Sequence, residues 1–325
     1  MKLAWIALSL LISPSAFALT IYTDRPTARV EIAAKVFTEE TGQSVTIVEQ
    51  PYSALKKKLD EEPTSAADLI FVKDLVFLAE LSSNGYLQPT QSNLVAQSLD
   101  PSRRDPNGLW QATSLRARTM VYALGRVNPS ELSTYENLAA SQWEGRLCVR
   151  TSKSSYNDGL IGFLLEQYGS SKTKSILEGW VKNLAAPVFA NDTAVIEAIA
   201  NGQCDVGVVN SYYLAGVLQK NPNFPVGIFF ANQNDGGVHV NGAGIGILKR
   251  STNVDAATKF IEILYRDEIQ LALSSSHFEY PAKKGLLPNT FIRNWGDFVS
   301  SSINWNTIGK RATEARKLAE EVGYN

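Results

Sequence analysis

Three tyrosines stand at the starts of two predicted helices, each behind a predicted strand. Tyr212 and Tyr213 follow the apolar run 205–209 (DVGVV), and Tyr156 follows the strand 147–150 (LCVR) after a short polar loop. A buried strand that leads into a helix is typical of a parallel α/β sheet. The carboxyl ends of parallel strands meet at one edge of the sheet, where ligands bind. We therefore expect the three phenols at a ligand-binding edge.

The chemistry open to clustered phenols depends on whether their protons can be displaced. A phenol has a pKa of about 10, so by itself it is a poor nucleophile at neutral pH. A trivalent metal ion displaces the proton, and phenolate is a hard oxygen donor that suits ferric iron. A helix N-terminus, which either Asn210 or Ser211 can cap here, also favours negative charge. The alternative is that each tyrosine is a half-buried aromatic residue with a bonded hydroxyl.

Arginines near the predicted strands could hold an anion beside such a metal. Arg25 follows the first predicted strand, and Arg116 and Arg118 lie in a long extended segment. A guanidinium group binds small oxyanions through parallel N–H donors, so it could hold an extra anion that completes the coordination shell of the metal. The alternative is that these arginines form salt bridges on the surface or between lobes.

Catalytic signatures in the sequence are weak or incomplete. Residues 53–56 (SALK) fit S-x-x-K, but the companion motifs S-D-N and K-T-G are missing from the sequence. The glycine-rich segment 242–246 (GAGIG) does not have the spacing of a phosphate loop, and we expect it to let a strand pack closely. His239 and His277 are far apart in sequence, and we expect a structural role for each. The sequence thus predicts a protein that is not an enzyme.

The composition is that of an ordinary globular protein. Of the 325 residues, 44% are hydrophobic and 19% are charged, and 31 basic against 32 acidic residues give a net charge of −1. Because there is no basic excess to neutralise phosphates, nucleic-acid binding is not expected. A chain of this length exceeds what one hydrophobic core usually fills, so two lobes are predicted.

The N-terminus predicts export from the cytoplasm. Residues 1–18 combine a basic start, an apolar stretch too short to span a bilayer and the sequence Ala-Phe-Ala, so we expect a signal peptide cleaved after Ala18. An exported protein reaches an oxidising compartment such as the periplasm. There Cys148 and Cys204, the only two cysteines of the sequence, are expected to form one disulfide. Two free buried thiols are the alternative.

The order of predicted elements indicates two lobes. Residues 19–100 alternate strand and helix, and the turn-rich segment 101–108 (PSRRDPNG) ends this part. The extended runs 110–123 and 238–248 flank a second part that also alternates strand and helix, and 305–322 is predicted to form one helix. This order predicts two α/β lobes joined by two crossing strands, with a ligand cleft and a hinge between them.

Seven segments spread along the chain form a pattern that is typical of one family. They are 21–25 (IYTDR), 67–74 (ADLIFVKD), 115–122 (LRARTMVY), 147–157 (LCVRTSKSSYN), 201–215 (NGQCDVGVVNSYYLA), 238–248 (VHVNGAGIGIL) and 278–281 (FEYP). The most specific feature is Asn-Ser-Tyr-Tyr after a strand, combined with the upstream Ser-Tyr-Asn and the two cysteines. With these segments the sequence resembles the periplasmic ferric-ion-binding proteins, the substrate-binding components of iron ABC importers. The resemblance covers essentially the whole chain after residue 18.

The resemblance implies a two-lobed periplasmic-binding-protein fold of type II, an α/β fold with two mixed sheets flanked by helices and joined by two crossing hinge strands. The N-terminal lobe would take residues 19–115 and 241–291, and the C-terminal lobe would take 116–240 and 292–325. The implied function is the capture of ferric iron in the cleft between the lobes and its delivery to an ABC permease in the inner membrane. The chain itself is expected to be a monomer.

The resemblance also implies a set of site residues. Position by position, Tyr156, Tyr212 and Tyr213 match the phenolate ligands of the family. Arg116 matches the arginine that binds the synergistic anion, which is carbonate or a similar anion. Arg25 matches the arginine of the first strand, which also lies near that anion.

The chain departs from many members of this family just after the first strand, where they carry a His or Tyr ligand. Arg25 is followed here by Pro-Thr-Ala at 26–28, so this donor is missing. Asp24 or Asp74 could take its place, although neither clearly matches a family ligand. The simplest hypothesis is three tyrosines plus an exogenous anion. The departure leaves an alternative open, in which the same fold binds a small organic or phosphorus-containing anion through the cleft arginines.

Overall fold

Strands and helices alternate along most of the chain. The computed structural model describes residues 18–61 and 67–325, so the predicted signal peptide, apart from Ala18, lies outside the described residues. The strands are β1 (Leu19–Thr23), β2 (Val45–Glu49), β3 (Leu69–Val72), β4 (Leu87–Gln88), β5 (Gln111–Ala123), β6 (Leu147–Val149), β7 (Val206–Asn210), β8 (Val226–Phe229), β9 (Val240–Leu248) and β10 (Tyr280–Pro281). The α-helices are α1 (Thr27–Thr41), α2 (Tyr52–Glu61), α3 (Leu75–Ser83), α4 (Asn93–Ser98), α5 (Ser155–Tyr168), α6 (Ser170–Lys182), α7 (Asp192–Ala200), α8 (Ser211–Lys220), α9 (Val254–Leu264), α10 (Asp267–Ser275), α11 (Thr290–Arg293), α12 (Trp305–Lys310) and α13 (Ala312–Glu321).

The long strand β5 connects two mixed sheets. The strand order is β2-β1-β3-β9-β5-β7-β6, with β4 beside β9, and with β8 and β10 beside β5. Strand β1 is parallel to β2 and β3, and β6 is parallel to β7, whereas β9 is antiparallel to β3 and β5. Residues 111–117 of β5 pair with β9 in the first sheet, and residues 118–122 pair with β7 in the second. The predicted fold class is confirmed.

The glycine-rich segment 242–246 lies inside β9 and packs closely against β5, as expected. A Cβ atom on Gly242 would lie 2.3 Å from the carbonyl oxygen of Ser114, and one on Gly244 would lie 2.8 Å from that of Gln111. Real Cβ atoms do not approach other atoms so closely, so these positions require glycine. The glycines therefore allow the two long strands to approach each other where the chain crosses between the sheets.

The residues just before α3, α5 and α8 decide where these helices begin. Asp74 accepts a hydrogen bond from the amide of Val76 at 3.0 Å and caps α3, and Ser154 caps α5 in the same way. Asn210 is the N-cap residue of α8, but neither its side chain nor Oγ of Ser211 makes a capping hydrogen bond within the described residues, so the predicted side-chain cap is not formed. Because β7 runs into α8 without a loop, Asn210 still belongs to the strand.

The C-terminal segment is two helices rather than the single helix predicted for 305–322. Helix α12 ends at Lys310 and α13 begins at Ala312, and Arg311 lies between them. The reason is tertiary: α12 packs against α3 and α5, whereas α13 packs mainly against α5. The helix is interrupted at Arg311, where its packing partners change.

Large aromatic side chains fill the interior. Trp110, Trp143, Trp180 and Trp305 are buried, and the indole N–H of Trp305 donates to the carbonyl of Val240 at 3.0 Å. This bond fixes α12 to the first residue of β9, next to the point where the chain crosses between the sheets. Within residues 18–61 and 67–325, none of the helices is both long and apolar enough to cross a membrane.

Candidate metal centre

The three predicted phenols come together where β6 and β7 end. Tyr212 and Tyr213 lie in the first turn of α8, and Tyr156 lies in the first turn of α5. Because β6 and β7 are adjacent and parallel, the helices that follow them begin side by side. The hydroxyl oxygens of Tyr156 and Tyr212 are 3.3 Å apart, and the rings of Tyr212 and Tyr213 stack with centroids 4.3 Å apart. These three residues are called the phenol cluster below.

A disulfide joins the two strand-helix units that present the phenol cluster. Cys148 in β6 is bonded to Cys204, which lies just before β7, and their Cα atoms are 6.0 Å apart. Both residues are buried. The predicted disulfide is confirmed, and the alternative of two free thiols is wrong. The cross-link holds the two strands together and thereby fixes the relative positions of the helices that carry the tyrosines.

Two guanidinium groups lie against the ring of Tyr156. The Cζ atom of Arg116 is 4.9 Å from the ring centroid, and that of Arg150 is 5.2 Å from it. Cations at this distance are attracted to the face of an aromatic ring. Arg150 was not identified as a site residue from the sequence, although it is the last residue of the predicted strand LCVR. The surroundings of Tyr156 are therefore strongly positive.

Tyr212 and Tyr213 keep their protons at physiological pH unless a metal displaces them. Burial raises the pKa of Tyr212 well above its ordinary value, and Tyr156 raises it further, while Arg116 lowers it. Burial and Tyr156 also raise the pKa of Tyr213. In a buried site little water is present to stabilise a phenolate. A trivalent cation stabilises that negative charge directly, so it can replace the phenol protons. The cluster can therefore bind a hard, highly charged ion by proton exchange.

Arg116 lies between the phenol cluster and a buried carboxylate. Its Nη2 atom is 3.7 Å from Oδ2 of Asp74, and both side chains are almost completely buried. Asp74 also accepts hydrogen bonds from Oγ of Ser155 at 2.8 Å and from Nδ2 of Asn241 at 3.0 Å. The Nε and Nη2 atoms of Arg116 are buried without a hydrogen-bond partner in the described part of the chain. Such donors require an acceptor, and an anion beside the phenols would supply one.

Arg25 contacts an internal carboxylate that was not identified from the sequence. Oε2 of Glu279 lies 3.4 Å from Nη2 of Arg25 and 3.1 Å from Nη1 of Arg29, and it accepts a hydrogen bond from Oγ of Ser114 at 2.8 Å. Burial raises the pKa of Glu279, but Arg25, Arg29 and Arg116 outweigh burial and hold this pKa below its ordinary value. Burial lowers the pKa of Arg25 to about 10, so this group stays charged at neutral pH. The FEYP segment gives no local sign of this contact.

The remaining charged candidates have different surroundings. Arg118 forms a buried salt bridge to Asp192 at 2.6 Å. Both residues lie in the predicted C-terminal lobe, so this bridge is neither on the surface nor between the lobes. Asp24 accepts a hydrogen bond from the amide of Lys73 at 2.8 Å, and Nζ of Lys73 is 3.7 Å from its other oxygen. Of the two aspartates considered as substitutes for the missing ligand, Asp74 is therefore the one in contact with Arg116.

The two histidines differ in their surroundings. His239 is buried, and its ring centroid lies 5.3 Å from that of Trp305, which agrees with a structural role. His277 is exposed and lines a pocket together with Tyr212 and Tyr213. No local pattern connects His277 with the tyrosines, because these parts of the chain are distant in sequence.

Other donor sets do not compete with the phenols. Among the described residues there is no group of three or more His, Cys, Asp and Glu side chains that could hold a metal ion. The S-x-x-K segment 53–56 lies in α2, where Nζ of Lys56 is 2.7 Å from Asp60. A lysine held by a carboxylate on the next turn is typical of a solvated helix face. The geometry therefore favours the phenol cluster as the functional site.

Comparison with known proteins shows the family to which the chain belongs. A family model described as bacterial extracellular solute-binding protein matches residues 22–271. The chain belongs to this family. It is a family of solute-binding transport proteins and not of enzymes, so the absence of a complete catalytic motif in the sequence is typical of it.

Several solute-binding proteins of known name or structure are similar to this one over most of their length. Iron uptake protein A1 of Synechocystis sp. is 36% identical over 301 residues, which cover 90% of this chain and 83% of the relative. The structure of a Trichodesmium protein (IdiA, FutA) in complex with iron and citrate ligands has a TM-score of 0.90 at 36% identity, covering 95% of this chain and 100% of that one. Ferric iron-binding protein A of Mannheimia haemolytica, in an open conformation, has a TM-score of 0.86 at 30% identity, with coverages of 95% and 99%. These similarities confirm the type II fold and the resemblance to periplasmic ferric-ion-binding proteins.

Proposed function

We propose that this protein captures ferric iron in the cleft between its lobes and delivers it to an ABC permease. The observation that carries the proposal is the 3.3 Å distance between the hydroxyl oxygens of Tyr156 and Tyr212, with Tyr213 stacked on Tyr212. Relatives named for iron uptake and for ferric iron binding support it. The protein acts as a carrier and has no catalytic step.

The proposed ligands are the phenolates of Tyr156, Tyr212 and Tyr213. Three phenolates balance the three positive charges of ferric iron, and a hard oxygen donor suits a hard cation. Arg116 and Arg150 lie against the ring of Tyr156, so positive charge lies next to this proposed ligand. The cluster is thus suited to an ion that can displace three phenol protons.

The remaining coordination positions are proposed to be filled by carbonate or a similar synergistic anion. Arg116 would bind this anion through Nε and Nη2, two buried donors without a hydrogen-bond partner among residues 18–61 and 67–325. Arg25 would add positive potential beside Arg116 while it remains bound to Glu279. An organic or phosphorus-containing anion bound by the arginines alone is not favoured, because it leaves the phenol cluster without a role.

Closure of the lobes is proposed to complete the site. Oγ of Ser155 at the start of α5 donates to Asp74 at the start of α3, and this bond connects the two sides of the cleft. We propose lobe boundaries at residues 19–115 with 241–291, and at 116–240 with 292–325. Iron bound between the lobes would favour the closed state, and the permease would bind that state.

Export and partners follow from the same proposal. The signal peptide, residues 1–18, would be removed after Ala18, and the protein would act in the periplasm as a monomer. Its partner would be the permease in the inner membrane. Nucleic acid is not a proposed partner, since the net charge is −1.

Titration of the iron-free protein with chelated ferric iron and carbonate tests the proposal. We expect a visible phenolate-to-iron charge-transfer band that saturates at about one iron per protein. The band should disappear in the Tyr212→Phe/Tyr213→Phe variant and persist in Tyr86→Phe, whose hydroxyl lies by Asp60, away from the cluster. A protein without this band at any ratio would overturn the proposal.

A further inference from the structure

Glu279 is a buried carboxylate at the centre of a positive region. It is 4% exposed, and its Oε2 atom is shared by Arg25, Arg29 and Ser114. A carboxylate is costly to bury and is retained only where cations and hydrogen-bond donors surround it. The nearest cations are the ones next to Arg116, which is proposed above to bind the anion. Glu279 therefore affects the potential at the anion position.

The backbone next to Glu279 holds this carboxylate in place. Phe278 has a φ angle of +55°, a left-handed conformation that is rare for a bulky residue. The amide of Glu279 donates to the carbonyl of Ser274 at 2.9 Å, which ties the turn back to α10. Strained backbone of this kind persists where the surroundings fix it, and it is common beside ligand sites. The position of Glu279 is thus determined by a rigid turn.

The charges around the anion position are closely balanced. Arg25, Arg29 and Arg116 carry three positive charges, and Glu279 and Asp74 carry two negative charges. Three phenolates would already neutralise ferric iron. The negative charge of a bound anion must therefore be balanced by the excess positive charge of these side chains. Glu279 reduces this excess by one unit. A carboxylate repels a doubly charged anion about twice as strongly as a singly charged one.

We propose that Glu279 is a specificity-determining residue of the anion site. It makes the site take carbonate in its singly charged form, hydrogencarbonate, in preference to a doubly charged anion such as phosphate. This inference rests on the proposed function, because it takes Arg116 as the anion-binding residue. Glu279 does not touch iron in this proposal. It acts through the potential that it shares with Arg25, Arg29 and Arg116.

Calorimetric titration of the full chain with phosphate and with hydrogencarbonate at about pH 8, where phosphate is mainly doubly charged and hydrogencarbonate singly charged, tests this inference. The measured quantity is the ratio of the two dissociation constants, obtained for iron-free and iron-loaded protein. In Glu279→Gln the amide keeps the shape and can still accept from Ser114, while one negative charge is lost. We expect this ratio to shift by about tenfold in favour of phosphate.

A second variant reverses the sign of the effect. Arg29→Gln removes one positive charge from the same region, so it should shift the ratio by about tenfold toward hydrogencarbonate. The double variant restores the balance and should return to within about threefold of the native ratio. Glu144→Gln is the control, because Glu144 is exposed and pairs with Lys182. Its ratio should equal that of the native protein.

The outcomes separate this inference from the proposed function. The inference is supported if the ratio of dissociation constants shifts in opposite directions in Glu279→Gln and Arg29→Gln, and the iron-free protein is sufficient for this comparison. The inference is overturned if both variants keep the native ratio, if both shift the ratio in the same direction, or if the native protein binds neither anion. If Glu279→Gln does not fold by circular dichroism, the sign of the shift in Arg29→Gln decides. Failure of iron to bind, with the anion shifts intact, would overturn the proposed function alone.

Discussion

The hydroxyl oxygens of Tyr156 and Tyr212 lie 3.3 Å apart, although 56 positions separate the two residues in sequence. An octahedral ion with metal–oxygen bonds of about 2 Å has neighbouring donors about 3 Å apart. The two phenols are therefore already spaced as neighbouring ligands of one ion. The pairing of β6 with β7 and the disulfide between Cys148 and Cys204 hold this spacing.

Removal of a single phenol oxygen should weaken iron binding strongly. We expect Tyr156→Phe, Tyr212→Phe and Tyr213→Phe each to lower the affinity for ferric iron by more than about a hundredfold, because each loses a direct ligand and one balancing charge. Competition against a ferric chelator measures the loss, and circular dichroism verifies the fold. Tyr86→Phe is the matched control and should bind as the native protein does. A variant of the cluster with native affinity would exclude that tyrosine as a ligand.

Iron binding should release protons, and affinity should fall as the pH falls. Burial raises the pKa of Tyr212 and Tyr213 above the ordinary value, so both phenols carry their protons at neutral pH before iron binds. Each ligand must lose its proton, so about three protons should be released per iron in unbuffered solution. Protons then compete with iron more strongly in acid. Tyr212→Phe should release one proton fewer, and an equal release from both proteins would argue against phenolate ligation.

The hydrogen bond from Ser155 to Asp74 should contribute to closure of the cleft. Ser155→Ala removes a bond to a charged acceptor, so we expect iron affinity to fall about tenfold. Helix α5 should still begin at the same position, because Ser154 caps it. Ser53→Ala, at an exposed position of α2, serves as the control. Unchanged affinity in Ser155→Ala, measured by chelator competition, would mean that this bond does not stabilise the iron-bound state.

Gly242 should be required for folding rather than for binding a phosphate. A Cβ atom there would lie 2.3 Å from the carbonyl oxygen of Ser114, so Gly242→Ala should lower the free energy of unfolding by about 2–3 kcal/mol. Gly216 in α8 is the matched control, because a Cβ there meets no described atom within 4 Å. Gly216→Ala should raise the free energy of unfolding by about 0.5–1 kcal/mol. Urea denaturation measures both, and native stability in Gly242→Ala would contradict the packing argument.

Much of the site could be predicted because its local features depend on short stretches of chain. A buried strand followed by a helix placed Tyr156, Tyr212 and Tyr213 at the same edge of the sheet. The glycines of β9 and the pair of cysteines were likewise interpreted correctly. Iron itself was inferred from the resemblance to a family, since residue types alone left several metals and anions possible. The roles of the tyrosines and arginines in binding stay predictions.

The contacts that could not be predicted join distant parts of the chain. Glu279 contacts Arg25, which is 254 positions away in sequence. Asp74 follows β3 and contacts Arg116 in β5, and these two strands lie on either side of β9. The break at Arg311 also depends on helices that are far away in sequence.

The sequence by itself determined the α/β class and the order in which tyrosines follow strands, because short-range sterics and hydrophobic periodicity act on neighbouring residues. Only the tertiary structure decided which charges share the interior. The way in which the strands cross and pack decides which arginines contact Glu279. The local sequence around Glu279 does not indicate these partners.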